Sequence, residues 1–197
     1  MAPLDAKAHN SREGGPSFPL KHRLFRAVWK LCWLLSARWT PVPFFHRWRR
    51  FVLVAFGAKL APTARVYPSA DIWYPPNLSM GNNSLMGPGV ICYCMERIDI
   101  HDDVVVSQRA HLCGGTHDVG DPDFQLLAKP IVIGRRAWIA AEAFVGPGVV
   151  VGEEAVLGAR AVAFKHLEAG MIYVGNPIRL VRRRDLRVFN AEHSDVA

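Results

Sequence analysis

The residue of this chain best suited to chemistry is His117, which ends the run Cys113-Gly114-Gly115-Thr116-His117 and is followed by Asp118. An imidazole exchanges a proton near neutral pH, and the glycines before it leave the backbone open to close approach. A single histidine in a folded domain is more often structural than catalytic. Position reverses that balance here: a six-residue repeat stops after His117 and resumes fully at Ile133, so the ring is expected at the mouth of a loop projecting from a regular scaffold. The other histidines lack this setting. His9 and His193 fall in tails expected to be disordered, and His22 and His46 in a basic leading segment. His101, His111 and His166 fall at outward or turn positions, where a solvated ring is the ordinary outcome. The cysteines Cys32, Cys92, Cys94 and Cys113 have no metal-ligand or CxxC spacing. Cys92 and Cys94 flank Tyr93, so both face one way on a strand, and packing explains them. Nothing around Cys113 would activate a thiolate.

The repeat is the element that must position His117. From Ile133 to Val162 the hexads IGRRAW, IAAEAF, VGPGVV, VGEEAV and LGARAV follow without a break. Each opens on an aliphatic residue (Ile133, Ile139, Val145, Val151, Leu157) and carries a small or β-branched residue four places later (Ala137, Ala143, Val149, Ala155, Ala161). A period of six is neither helical nor simple strand alternation. It fits a triangular coil in which three hexads make one turn, the aliphatic pointing inward and the small residue fitting where the chain turns. Such coils stack at the strand spacing of about 4.8 Å. Weaker hexads begin at Leu60, with two-residue slips at Leu78-Ser79 and Ile98-Asp99 that are expected to lengthen a corner. The count predicts an all-β parallel β-helix of roughly five coils, interrupted by a loop over 118–132 and closed by a short helix from Leu180.

The chain has 197 residues and a net charge of +7, and half of it is hydrophobic, which is one domain with a sizeable core. The charge is unevenly placed. Between Gly14 and Ala70 there is no acidic residue, while Lys21, Arg23, Arg26, Lys30, Arg38, Arg47, Arg49, Arg50, Lys59 and Arg65 lie there; Arg179, Arg182, Arg183, Arg184 and Arg187 form a second cluster. No groove-reading motif accompanies the charge, which argues against nucleic acid and for an anionic membrane surface or a phosphorylated cofactor. Residues 1–19 are polar and proline-bearing, expected to be disordered and unlike a cleavable signal. With unpaired cysteines, this points to the cytoplasm. Residues 20–59 form a basic segment with two helical patterns. Leu24, Val28, Leu31 and Leu35 share one side of the first; Pro41 and Pro43 separate it from the second, Phe44 to Phe56. Neither reaches the ~20 uninterrupted apolar residues of a membrane span. Two readings stay open: the segment caps the first coil, or residues 20–56 lie on the inner face of the membrane. The β-helix domain is 60–179, with 180–197 as helix and tail.

The stretches SQRAHLCGGTHDVGDPDF, KPIVIGRRAWIAA, VGPGVVVGEEAVLGAR and GNPIRLVRRR, with GAKLAPTARVYPSADIW before them, resemble the hexapeptide-repeat sugar O-acetyltransferases, in particular those of colanic acid biosynthesis. The resemblance covers most of the chain beyond Leu20. It implies a homotrimer of left-handed β-helices with sites between subunits, acetyl-CoA as co-substrate, no metal, and a sugar or glycan acceptor, lipid-linked if the leading segment meets a membrane. It makes His117 the general base, with Asp118 or a nearby carbonyl orienting it. It assigns cofactor contacts to Trp138, Ala141, Ala159, Phe164, Lys165, Arg179 and Arg182. Phe164 stands where a hydroxyl residue is common, so its contact would be through backbone. Cys92 falls where many relatives carry an acceptor-binding asparagine; Cys92 and Asp118 are the acceptor-side candidates. Two rival readings are a non-enzymatic trimeric scaffold and a zinc hydratase resembling γ-class carbonic anhydrases, which would need His101, His111 and His117 to converge.

Overall fold

The computed structural model describes residues 2–42 and 44–185. The hexads form a parallel β-helix with three faces. Lys59–Leu60, Leu78–Met80, Ile98–Ile100, Ile131–Ile133 and Val150–Val151 stack into the first face. The second runs from Arg65–Val66 through Leu85–Met86, Val105–Val106, Trp138–Ile139 and Val156–Leu157 to Met171–Val174. The third comprises Asp71–Ile72, Ile91–Tyr93, His111–Cys113, Phe144–Val145 and Val162–Ala163. There are thus five complete coils. The bridge Val151 to Leu167 and the strand Met171–Val174 begin a sixth, one more than the hexad count predicts.

The hexad opener points inward in every coil. On the third face Ile72, Cys92, Leu112, Val145 and Ala163 pair in register, and all are buried. The small residue four places later is buried at the regular turns, as at Ala110, Ala143 and Ala161. At the first corner the outermost residue adopts a left-handed conformation with φ of 56° at Asn83, 59° at Asp103, 56° at Arg136 and 60° at Glu154. Such a backbone costs on the order of 1 kcal/mol at a non-glycine residue. Stacking the corners brings their side chains together. Arg136 Nη1 donates to Glu154 at 3.2 Å, and at the second corner Arg160 Nε donates to Glu142 at 2.6 Å. The Arg160 hydrogen bond, then its charge, holds the Glu142 carboxyl below its ordinary range. The two-residue slips fall at the third corner, where they lengthen the connection; in coil one it includes the 3-10 turn Pro75–Asn77.

Two helices, α1 (Leu20–Ser36) and α2 (His46–Ala55), close the bottom. The lower edge of coil one presents carbonyls with no strand beneath them, a liability in any sheet. The cap answers it with side-chain donors. Arg50 donates to the carbonyls of Leu60 and Ala61, Arg49 to Val66, Trp33 to Pro68 and Trp29 to Ile72, all within 3.2 Å. Trp29, Val52 and Leu53 fill the space above. The capping reading therefore describes the inner side of this segment. On α1, however, the stripe Leu24, Val28, Leu31 and Leu35 faces outward and each of its members is more than half exposed. No helix of the described residues is long and apolar enough to cross a membrane.

Two expectations are corrected. The helix from Leu180 does not form: Arg179–Arg183 is a strand folded antiparallel onto Met171–Val174, pairing the last open edge of the second face. Residues 186–197 lie outside the described residues. The polar segment 1–19 is also ordered in its described part, for reasons that involve the loop below.

Burial, the largest cause at each, depresses the imidazoles of His22, His46 and His111 below their ordinary 6.5. The unfolded chain then takes up protons the folded chain refuses, so stability is intact above pH 6.5 and falls as the pH drops below it. Melting temperature should follow that course, and His22→Phe, which keeps the ring between Phe18 and Tyr74, should lessen the acid-side fall.

Candidate active site

The expected loop is a β-hairpin arm. Gly115–His117 pairs antiparallel with Leu126–Ala128, with His117 opposite Leu126. Local polar groups stabilise its tip: Asp118 Oδ1 accepts the Gly120 N–H at 3.0 Å and Asp121 Oδ1 the Asp123 N–H at 2.9 Å. The arm leaves the third corner of coil three through Gly114 and Gly115. A Cβ on Gly115 would run into the buried Met95 side chain, so glycine lets the chain lie this close to the prism.

His117 is fixed within the arm. Its Nδ1 lies 2.8 Å from the Phe124 carbonyl, and its ring stacks on Phe124 at 4.3 Å and 12°. A carbonyl only accepts, so Nδ1 carries a hydrogen, and in the neutral ring it is Nε2 that offers the lone pair. The orienting group is thus a carbonyl rather than Asp118, whose Oδ1 is engaged within the turn.

His117 lines a cleft of about 400 Å³ whose other walls include Arg23 and Arg26 of α1, Trp73 and Tyr93 of the prism, and the segment Gly14 to Phe18. That segment belongs to the stretch expected to be disordered. Instead Gln125 of the arm donates to the Leu4 carbonyl at 3.0 Å and accepts the Ala6 N–H at 2.7 Å. The Leu4 N–H donates to Ser17 O at 2.9 Å, and Ala6 and Phe18 are buried. The segment has no core of its own; besides its local turns it is held by Gln125 and Pro122 of the arm, more than a hundred residues away, and by Phe18 packed on His22 and Trp73.

Cys92 is not an acceptor contact. It is an inward ladder residue with 0% exposure, and the neighbouring Cys94 thiol, then burial, pushes its own thiol well up. Tyr93, on the opposite side of the strand, reaches the cleft instead. The Cys-Tyr-Cys alternation carried that signal. Trp73, Arg23 and Arg26 carried none, because their convergence depends on how α1 crosses the prism.

The cofactor candidates lie higher. Trp138 is 43% exposed on the second face and donates to Ser107 Oγ at 2.9 Å. Ala141 and Ala159 occupy the second corner in successive coils, and their N–H groups make no hydrogen bond among the described residues. A cleft of about 550 Å³ at this corner is lined by Gln108, Arg109, Ala141 and Glu142 among others. Phe164 and Lys165 lie at the third corner of coil five, and Arg179 and Arg182 on the final strand, all exposed. Free corner amides, an exposed indole and these cations fit an extended polyanionic ligand. Within one chain this set lies in coils four to six, above the coil that gives rise to the arm. His101 lies at a first corner, His111 on the third face and His117 on the arm; the described residues contain no metal-holding cluster.

No protein-family model matches the chain. It is 39% identical over 158 residues, covering 79% of itself and 86% of the relative, to the Escherichia coli K12 protein named "Putative colanic acid biosynthesis acetyltransferase WcaF". It is 25% identical over 128 residues to the galactoside O-acetyltransferase of the same organism, covering 64% and 63%. Among solved structures, a maltose O-acetyltransferase from Clostridium difficile 630 matches with a TM-score of 0.73 at 20% identity, over 85% of this chain and 90% of that one. A galactoside acetyltransferase in complex with coenzyme A gives 0.72 at 19%, over 92% of each. At these identities the structures establish the fold.

If Gln125 ties the leading segment to the arm, Gln125→Ala should speed amide hydrogen exchange across residues 4–17 while leaving the prism strands protected. Unchanged exchange there would mean that another contact orders the segment.

Proposed function

The chain belongs to the hexapeptide-repeat acetyltransferases, in the colanic-acid-biosynthesis group, and on that premise we propose that it transfers the acetyl group of acetyl-CoA to a sugar hydroxyl during exopolysaccharide or related glycan synthesis. The observation that carries this reading is the His117 ring, held through Nδ1 by the Phe124 carbonyl with Nε2 left to accept a proton beside an open cleft. A sugar hydroxyl is a weak nucleophile until its proton is removed as it attacks. Nε2 takes that proton while the hydroxyl oxygen bonds to the thioester carbonyl carbon; the carbon–sulfur bond then breaks, and the departing thiolate receives the proton from the imidazolium. The oxyanion formed between these steps needs a fixed donor, and the unengaged Ala141 N–H is suited to that task. Trp138 walls the pantetheine arm, the Ala159 and Phe164 backbones pair with it, and Lys165, Arg179 and Arg182 meet the phosphates.

These groups do not converge on His117 within one chain, which supports a homotrimer whose neighbouring prisms share each site. The outward apolar stripe of α1 continues with exposed Trp39, Phe44 and Phe51, beside Arg38 and Arg47. A large exposed apolar patch in a basic surround fits peripheral contact with an anionic membrane at its cytoplasmic face, where a lipid-linked acceptor would be presented.

In a thiol-release assay with acetyl-CoA and a panel of sugars, His117→Ala should lower turnover by about 10²- to 10⁴-fold with folding intact; full activity of the variant would displace His117 as the base, and no thiol release by the unmodified protein on any sugar would favour a non-enzymatic scaffold. Replacing Leu24, Leu31 and Leu35 together by serine, which leaves the inner cap untouched, should abolish sedimentation with anionic vesicles. Unchanged sedimentation would defeat the membrane reading.

A further inference from the structure

The cleft beside His117 has an uncompensated charge. Arg26 sits over the Trp73 ring, its Cζ 4.2 Å from the centroid and 5.6 Å from that of Phe18, and its Nε is buried with no hydrogen-bond partner among the described residues. Arg23, one helical turn earlier, lines the same cleft. Neither guanidinium has a carboxylate within ion-pair distance among the described residues, and none could come from the stretch between Gly14 and Ala70, which has no acidic residue. Two acids of the adjoining arm are turned away: Asp118 and Asp121 each accept an amide within its tip. Arginine cannot shed its proton in a protein, and a partly buried cation without a counter-charge costs free energy. The site is therefore built as if an anion completes it. Beside the arginines lies the half-buried Tyr93, whose ring can carry the apolar side of a sugar, while the buried Trp73 backs the Arg26 guanidinium.

We propose that this cleft is the acceptor site and that it selects a sugar bearing a phosphate ester: Arg23 and Arg26, the latter backed by Trp73, hold the phosphoryl oxygens, Tyr93 holds the ring, and a hydroxyl is presented to His117. The proposal deepens the acetyl-transfer reading and rests on it for the identity of the bound molecule as acceptor. Two guanidiniums match the two negative charges of a phosphate monoester or of a diphosphate diester, whereas a single sugar carboxylate would leave one of them unpaired. The same phosphoryl chemistry occurs in a soluble nucleotide-activated sugar and in a polyprenyl-diphosphate-linked sugar. Because α1 carries both the arginines and the outward apolar stripe, either source can reach the cleft.

The test is equilibrium binding to the full-length protein without acetyl-CoA, read by tryptophan fluorescence and calorimetry. Each of several common hexoses is compared with its own 1-phosphate, its nucleotide-diphosphate ester, its polyprenyl-diphosphate ester in micelles, and its uronic acid, so that the identity of the sugar cancels. At least one ester should bind about tenfold or more tightly than its parent sugar and its uronate, the scale of charge-assisted hydrogen bonds. Arg26→Gln should bring ester and parent to parity, and Arg26→Lys should restore only part of the difference because it lacks the planar fork. His117→Ala should leave the preference in place. The tighter of the two diphosphate esters identifies the source. Equal binding of esters and neutral sugars, preference for the uronate, no ester binding, or discrimination that survives in a folded Arg26→Gln protein would each overturn the proposal. Ester binding that depends on Arg26, without thiol release on adding acetyl-CoA, would instead sink the acetyl-transfer reading and leave the anion site standing.

Discussion

Every coil of this molecule must bring the chain back to the same three edges one strand spacing higher. Each inward side chain is then stacked on its equivalents above and below, and room for one is set by the others. Ile72, Cys92, Leu112, Val145 and Ala163 are one such column. Where a coil is tight, as at Gly146 to Gly148, the corner has no slack; where the chain needs more, the surplus must leave at a corner. The slips of two residues and the Gly115 to Ala128 arm all use the third corner. Irregularity is therefore concentrated along one edge and at the ends, which is where chemistry can be built without breaking the columns.

The ends face a different constraint. A stack of parallel strands leaves unpaired backbone groups at its first and last coil. At the bottom these are carbonyls, and carbonyls need donors. That requirement accounts for several of the charged and indole side chains in the leading segment: Arg49, Arg50, Trp29 and Trp33 donate to the exposed rim of coil one. The fully buried Arg49 needs no carboxylate because Val66 O and the Thr40 hydroxyl accept from it. At the top the answer is a folded-back strand. The cap's inner and outer surfaces thus have separate logics, and only the outer one is free to meet a membrane.

The cleft beside His117 joins pieces from distant parts of the chain. The prism supplies Trp73 and Tyr93, the arm supplies the histidine with its Phe124 carbonyl, and the leading segment supplies two arginines and a wall tied down by Gln125. A small displacement of the arm would move the imidazole and unfasten the wall together, which couples the shape of the cleft to the position of His117. The corner amides of Ala141 and Ala159 lie at a different edge, so the trimer proposed above is what would bring a thioester to the same place.

The fold was legible because a period of six leaves so few solutions: inward openers, buried small residues and corner slips could each be assigned to a place before any coordinate. The place of His117 at the root of an arm was legible for a related reason, since a regular repeat makes an interruption conspicuous. Cys92 matches a family acceptor position, yet strand alternation turns it into the prism and leaves Tyr93 outward, which the flanking cysteines already indicate. The order of residues 2–19, the strand at Arg179–Arg183 and the gathering of Arg23 and Arg26 against Trp73 were not readable, because they depend on partners far away in the chain that no local pattern names. Sequence by itself determined what repeats, since repetition is a local property written in every hexad. Tertiary structure alone decided what meets across the gaps, because those contacts are set by how the cap, the arm and the prism pack in three dimensions.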